Sequence, residues 1–459
     1  MQTLTPHQTE IARALVDDVL QTRGGLFTVE MAEGAGVHEI SAQVELLLLT
    51  LHVHDGGRVL KVTPELADHT DSSPDLLADY LREGALHGLW SAQPGRVRLG
   101  IAECRRVTPQ ELLAVSGPLA QPFAQPIALI EVLEAQRLDR QSYERYLAPL
   151  AAASGATVVL YGTPWNGETL FEELKQRNRE AEAAGGRQKH FRATWEAAAD
   201  ESPDYRHLVN AVRERVGEHH PEFQTRYALR PVQSATPLLS TEQVQALMGT
   251  HQRQHVPSPG TVTRASVVVT RLPERASMLL ALASPDAVAV VTLAEETPEG
   301  VSRVLETRWV QAADGPALAK RLAKLLGEVW RCGQAAVDLG LVQGEPAKQF
   351  RHLLEHMLGP VAIAWQPAGD AVDSRRLLAL IAAANTGRLS LYAMDGSPEY
   401  RALRHELESA VVDYGLDAMA RVRLPHAAEG FLRGLSLLAD DAQPRTEKRW
   451  DVLTPALAS

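Results

Sequence analysis

The stretch Leu26-Phe-Thr-Val-Glu-Met-Ala32, followed by Glu33-Gly34-Ala35-Gly36 and then Val37-His-Glu-Ile40, decides how this chain folds. Leu26 to Ala32 is a short apolar run of strand length. Two glycines one residue apart then supply the backbone freedom for a tight turn. Apolar residues continue at helical spacing through Leu49, so the stretch reads strand, glycine turn, helix. Upstream, Ile11, Ala12, Leu15, Val16 and Val19 line one face of a helix over Thr5 to Leu20. Downstream, Arg58 to Val62 and Arg96 to Ile101 are short β-like runs. Ile127 to Val132, interrupted only by Glu131, and Thr157 to Tyr161 are continuously apolar. Such runs suit central strands of a parallel sheet covered on both faces. Strands separated by helices predict an α/β domain over residues 1–230.

From Pro231 to Arg264 the composition turns to Pro, Ser, Thr, Gln and His, which predicts a linker over 231–264. A second domain is expected over 265–440, with β-rich runs at Val267 to Val269, Met278 to Ala283, Ala287 to Leu293 and Val301 to Val310. Pro316 to Trp330 reads as a helix and Ala335 to Asp338 as a strand. Further helices follow at Ser374 to Ala384 and Pro398 to Val411. Strands first, then alternating helices and strands, predict a mixed sheet. Residues 441–459 form a polar tail.

With 46 basic against 57 acidic side chains the net charge is −11, which excludes a non-specific polyanion binder while allowing a local basic face. Two cysteines, Cys104 and Cys332, exclude a disulfide framework and a cysteine-rich zinc site. The N-terminus lacks a basic segment leading into an apolar one, and the run Val44 to Leu51 is too short to cross a bilayer. The expectation is a soluble cytoplasmic protein with no membrane contact.

Several segments, taken in order, resemble the large terminase subunit of tailed phages. They are Ile130-Glu-Val-Leu-Glu-Ala-Gln136, Val159-Leu-Tyr-Gly-Thr-Pro-Trp165, Phe191-Arg-Ala-Thr-Trp195, Ser202-Pro-Asp-Tyr205 and His220-Pro-Glu-Phe-Gln-Thr-Arg-Tyr227. In the second half, Val337-Asp-Leu-Gly340, Ser374-Arg-Arg-Leu-Leu378 and Asn385-Thr-Gly-Arg-Leu389 follow the same family's nuclease domain. The resemblance implies an N-terminal P-loop NTPase-like parallel-sheet domain and a C-terminal RNase H-like mixed-sheet domain, together a DNA-packaging motor. It implies that Gln8, in Leu4-Thr-Pro-His-Gln-Thr-Glu10, holds adenine. It places Gly34 and Gly36 in the phosphate loop, and Gly162 and Thr163 in the motif that couples hydrolysis to movement. It also implies ATP and Mg as cofactors if the chain is active, and DNA, portal or another terminase subunit as partners.

The charged residues of that chemistry are largely replaced. A triphosphate needs helix N-terminal N–H groups and a lysine on its outer phosphates. Val37 stands where the lysine is expected and Glu33 where the family has arginine. One such repulsion at about 4 Å and an effective dielectric near 20 is worth roughly 4 kcal/mol. The plain alternative is an ordinary strand-to-helix turn. Glu134 keeps the position of the water-orienting glutamate, but Leu133 replaces the metal-holding aspartate. In the second half, two-metal hydrolysis needs about three converging carboxylates. Asp338 matches one, Leu279 to Ser284 offers none, Asp286 sits in a turn, and Glu429 is the only acid before the final helix. Glu134, Asp338 and Glu429 are therefore expected as catalytic remnants, with Gln8, Gly34 and Gly36 vestigial, no metal site and no cofactor.

Glu218-His219-His220 invites a zinc reading, but adjacent side chains diverge and no third ligand is evident. Arg105 and Arg106 beside Cys104 could lower a thiol pKa, yet no catalytic histidine accompanies them. Arg177, Arg179, Arg187, Lys189, His190 and Arg192 form a basic stretch diluted by glutamates, expected as an exposed mixed-charge face. The functional expectation is a terminase-like pseudoenzyme of phage or prophage origin that binds DNA or packaging proteins, or assembles with an active homologue. The alternative is an active packaging motor with displaced catalytic residues.

Overall fold

The computed structural model describes residues 3–63, 76–84, 88–112, 126–272, 287–342, 344–359, 361–366, 370–416, 420–424 and 430–441. The helix α1, Pro6–Leu20, starts with a capping box in which Thr5 and Gln8 bond each other's backbone N–H, and Pro6 occupies its first turn. The strand β1, Leu26–Met31, runs into the glycine turn and then α2, Val37–Leu51. This is the strand–turn–helix that the sequence predicts.

Around it lies an eight-stranded sheet whose further strands are β2 Arg58–Val62, β3 Trp90–Gln93, β4 Arg96–Leu99, β5 Ala102–Val107, β6 Ile127–Val132, β7 Thr157–Gly162 and β8 His190–Ala193. Their order is β3-β4-β5-β2-β6-β7-β1-β8. The pairs β5–β2, β2–β6, β6–β7, β7–β1 and β1–β8 are parallel, and β3 and β4 add an antiparallel edge. The connection from β1 through α2 therefore skips two strands to reach β2. The C-terminal end of β1 lies at such a crossover, the usual place for a ligand crevice in a doubly wound sheet. Phe27, Val29 and Met31 join Ile40, Val44 and Leu48 of α2 in one apolar core, while Leu60, Ile130, Val132, Val158 and Leu160 build a second core on the opposite face.

The second sheet consists of β10 Thr263–Arg271, β11 Ala287–Glu296, β12 Ser302–Ala312, β13 Gln334–Asp338, β14 Ala362–Trp365 and β15 Leu389–Ser390, in the order β14-β13-β10-β11-β12-β15. The pairs β10–β11 and β11–β12 are antiparallel, whereas β10–β13, β13–β14 and β12–β15 are parallel, which is the RNase H-like mixed sheet. The predicted run Met278 to Ala283 lies outside the described residues.

The helices that matter below are α3 Leu170–Ala183, α4 Pro203–Val216, α5 Pro221–Arg226, α6 Thr241–Leu247, α7 Asp370–Asn385, α8 Pro398–Ser409 and α9 Phe431–Asp441. Residues 231–264, expected as a linker, carry more structure than that. Their strand β9, Ala235–Pro237, pairs with β16, Val411–Tyr414, which in turn pairs with β17, Ala420–Arg423. Val244 and Leu247 of α6 are buried in the same core as Leu380 and Leu403. Alternation cannot identify a strand as short as β9; its partner is what makes it one.

Between the two sheets, the loop after β7 reaches across the molecule. Trp165 Nε1 donates to the Gly415 carbonyl at 2.8 Å and Asn166 Nδ2 to the Tyr414 carbonyl at 2.7 Å. Asn385 Nδ2, at the end of α7, donates to the Val216 carbonyl at 3.0 Å, and Gly217 can approach because a side chain there would meet Asn385.

Candidate functional site

At the end of β1 the chain turns through Gly34 and Gly36, with φ of 73° and 107°, values that favour glycine. Gly36 caps α2 with no side-chain bond to its N-terminus. Three neighbours hold this turn. Gln8 Nε2 donates to the Ala35 carbonyl at 3.0 Å, while its Oε1 accepts the Thr5 N–H at 2.9 Å. Tyr205, on α4, donates its hydroxyl to the Glu33 carbonyl at 2.7 Å. Arg226, at the end of α5, pairs with the Glu33 carboxylate at 3.1 Å, and its carbonyl accepts the Glu33 N–H. Val37 is half-buried against the apolar core. The turn thus presents the backbone a phosphate would use, but Val37 brings no charge and the guanidinium that reaches the loop is engaged by Glu33. The amide of Gln8 is likewise committed at both ends. Among the described residues, this donor set does not fit a magnesium nucleotide.

The end of β6 tells the same story. Leu133 is 6% exposed and packs in the core shared with α2, so no carboxylate meets the loop from that position. Glu134 adopts φ 49°, left-handed for a non-glycine, and its side chain is 59% exposed and paired with Arg137 at 3.2 Å. Gln136, which sequence reasoning did not single out, bridges two strand ends. Its Oε1 accepts the Thr163 N–H at 3.2 Å and sits 2.9 Å from where a Cβ on Gly162 would lie. Glu134, Gln136, Gly162 and Thr163 are therefore close neighbours, and Trp165 continues the loop to the second sheet.

Beneath α2 is an ionic cluster that sequence reasoning also missed. Lys61 Nζ lies 2.7 Å from Glu45, and Ser41 donates to Glu131 at 2.9 Å. Ser41, Glu45 and Glu131 are buried, and Lys61 shows little of its side chain to solvent. Burial, then the adjacent Glu45 carboxylate, push the Glu131 carboxyl well above the usual range, which favours its protonated form. Glu45, despite its burial, is held below its ordinary value by Lys61. Glu131 interrupts an otherwise apolar strand, and that interruption was its only signal.

On the other face of β1, Glu30 is buried and meets Lys175 at 2.7 Å, Arg192 at 3.1 Å and Arg179 at 3.7 Å. The basic stretch expected on an exposed face thus converges in part on one internal carboxylate. His190 is buried beside Thr28, with Nδ1 3.1 Å from the hydroxyl. Burial, then the nearby Arg179 and Lys175 cations, push its imidazole down to about 4.

In the second sheet, Asp338 ends β13 and is 2% exposed. Its parallel neighbour on β10 is Val268, so the adjoining strand contributes an apolar group beside it. Asp338 Oδ1 accepts the Gly340 N–H at 2.6 Å, and Oδ2 lies 3.5 Å from Arg433 of α9. The buried carboxylate of Glu406, on α8, accepts the N–H groups of Gly430 and Leu432 at 3.1 and 2.7 Å and so fixes the start of α9. Glu429 and Asp286 lie outside the described residues. Among the described residues, no group of three or more His, Cys, Asp or Glu side chains is placed to hold a metal ion. Among the described residues, those beside Asp338 do not fit a two-cation centre.

His220 is buried as the N-cap of α5, accepting the Glu222 N–H at 3.2 Å, with Nε2 3.3 Å from the Leu378 carbonyl; this explains it without zinc. Cys104 is buried, and burial followed by Glu45 pushes its thiol up, away from reactivity. No described helix is long and apolar enough to cross a membrane.

No protein-family model matches the chain, and no curated protein matches it in sequence. Solved structures do match it. The large terminase of a thermophilic bacteriophage superposes with a TM-score of 0.57 at 11% identity, covering 96% of this chain and 98% of that one. The same phage protein in complex with ADP gives 0.55 at 11% identity over 96% and 98% of the two chains. In complex with ATP-γ-S it gives 0.54 at 10% identity over 95% and 98%. The chain has the two-domain fold of the phage large terminase, a P-loop NTPase-like parallel-sheet domain followed by an RNase H-like mixed-sheet domain.

Proposed function

We propose that this chain is a terminase large subunit-like protein of phage or prophage origin that serves DNA packaging by binding rather than by catalysis. Its domains are residues 1–230 and 265–440, joined by 231–264, and it works in the cytoplasm of the host. Its partners are DNA, portal or another terminase subunit, and it assembles with an active homologue. Gln8, Gly34 and Gly36 are vestiges of a nucleotide site, Gly162 and Thr163 of a coupling motif, and Glu134, Asp338 and Glu429 of two catalytic centres. The observation that carries this reading is the glycine turn. Among the described residues, the charges that a triphosphate needs there are replaced by an apolar group, as at Val37 and Leu133, or engaged within the chain, as with Arg226 on Glu33.

Thermal unfolding with and without Mg-ATP tests it. A ligand at a hundred times its dissociation constant adds about 2.7 kcal/mol to the folded state. The native chain is expected to show no shift, while Val37→Lys/Leu133→Asp restores one. ATP turnover by the native chain that disappears in Glu134→Gln would sink the proposal.

A second reading, an active motor with displaced catalytic residues, is favoured by Arg226, a guanidinium at the phosphate loop that does not come from the loop itself. It requires that ATP turnover be present and be lost in Arg226→Ala.

A further inference from the structure

The Asp338 end of the second sheet carries an inference that deepens the non-catalytic reading and rests on it. A carboxylate that is 2% exposed needs compensation, by hydrogen bonds, a cation or a metal. Here both oxygens are engaged from within the chain, Oδ1 by the Gly340 N–H at 2.6 Å and Oδ2 by Arg433 at 3.5 Å. We propose that Arg433 is the resident cation of this site, standing where a divalent ion would otherwise bind, so that the second domain takes its ligand without metal.

Two features hold the guanidinium there. The Glu406 carboxylate accepts the Gly430 and Leu432 N–H groups, which fixes the first turn of α9, where Arg433 lies. One residue further on, Gly434 lets the helix lie directly on the sheet, since a Cβ there would sit 3.1 Å from Thr292 Oγ1 and 3.2 Å from Ser266 Oγ. The helix therefore cannot withdraw and carry Arg433 away without losing the cap and that close seat. Val268, the β10 neighbour of Asp338, adds no carboxylate that could recruit a second positive charge. A divalent ion approaching Oδ2 meets a like charge held in place, which is the arrangement that disfavours its binding. An arginine is suited to this role because its guanidinium stays protonated at any working pH.

Manganese binding to the full chain, followed by electron paramagnetic resonance of the free ion, tests the proposal. The native protein and Asp338→Asn are expected to bind equally little. Arg433→Met is expected to gain at least tenfold in Mn²⁺ affinity, and Arg433→Met/Asp338→Asn to lose that gain. Native binding that weakens tenfold or more in Asp338→Asn would overturn the proposal, and this comparison decides even if Arg433→Met does not fold. Such binding without DNA cleavage would overturn the resident-cation role alone. Cleavage with Mg²⁺ that Asp338→Asn abolishes would overturn the non-catalytic reading as well.

Discussion

The side-chain amide of Gln8 fills the space that a methyl group on Gly36 would occupy: a Cβ there would lie 1.9 Å from Gln8 Nε2. The contact joins α1 to the first turn of α2 and closes the glycine turn from above. Gly36→Ala would strain a backbone at φ 107° and push Gln8 off the Ala35 carbonyl. Together these should cost about 2–3 kcal/mol in urea unfolding. Gln8→Ala alone should cost about 1 kcal/mol, and the double substitution less than the sum, because both act on one contact.

The Lys61, Glu45 and Glu131 cluster predicts unequal effects from similar changes. Lys61→Met strands the Glu45 carboxylate in the core and should cost about 3–5 kcal/mol. Glu131→Gln swaps a carboxyl whose protonated form is favoured by burial for a neutral amide of the same shape, and should cost less than about 1 kcal/mol at neutral pH. Its pH signature has a definite sign. Above the ordinary carboxyl value of 4.5 the folded chain keeps a proton that the unfolded chain has lost. Stability from this group therefore falls as pH rises. Glu131→Gln removes that slope, so the variant should gain on the native protein with rising pH in denaturant titrations.

His190 gives the opposite slope. Its imidazole is held neutral down to about 4 against an ordinary 6.5, so between those values the unfolded chain binds the extra proton. Stability should fall by roughly 2–3 kcal/mol as pH drops through that window. His190→Gln should flatten this part of the acid unfolding curve; an unchanged curve would show that the ring is solvated in the folded chain.

Trp165 and Asn166 tie the post-β7 loop to the end of β16, at Gly415 and Tyr414, by two hydrogen bonds. Trp165→Phe/Asn166→Ala removes both donors and leaves two carbonyls without these partners. Calorimetry should show a loss of about 2–4 kcal/mol, with the single unfolding transition broadening or splitting into two. A sharp single transition at the native temperature would mean that the remaining contacts, Asn385 with Val216, His220 with Leu378 and Val232 with Trp165, suffice to couple the two halves.

Much of this fold is legible in the sequence because long apolar runs dictate where strands lie. Leu26 to Met31, Ile127 to Val132 and Ala335 to Asp338 become strands as expected, and the glycine turn sits between β1 and α2. Strands such as β5, with Glu103, Arg105 and Arg106, escape that reading because pairing rather than apolarity accommodates their charges. Glu103, for example, is paired with Arg96 and Arg98. At the candidate sites, sequence reveals which charges are replaced, since Val37 and Leu133 are visible as residue types. It does not reveal which distant cation fills in. Arg226 lies 193 residues from Glu33, and Arg433 is likewise far from Asp338 along the chain, so only the folded backbone brings each to its partner.

The pairing of β9 with β16 has a mechanical consequence. It makes Ala235 part of the second half, while the Val232 N–H is bonded to the Trp165 carbonyl in the first. The free tether between the halves is therefore only a few residues, spanning at most about 10–14 Å when stretched. Separation of the two halves by more than that would require β9 to peel from its sheet or Val232 to leave the Trp165 carbonyl. While both contacts hold, any cargo gripped at the tether by both halves is confined to a gap about as wide as the major groove of DNA, roughly 12 Å, and narrower than the duplex itself.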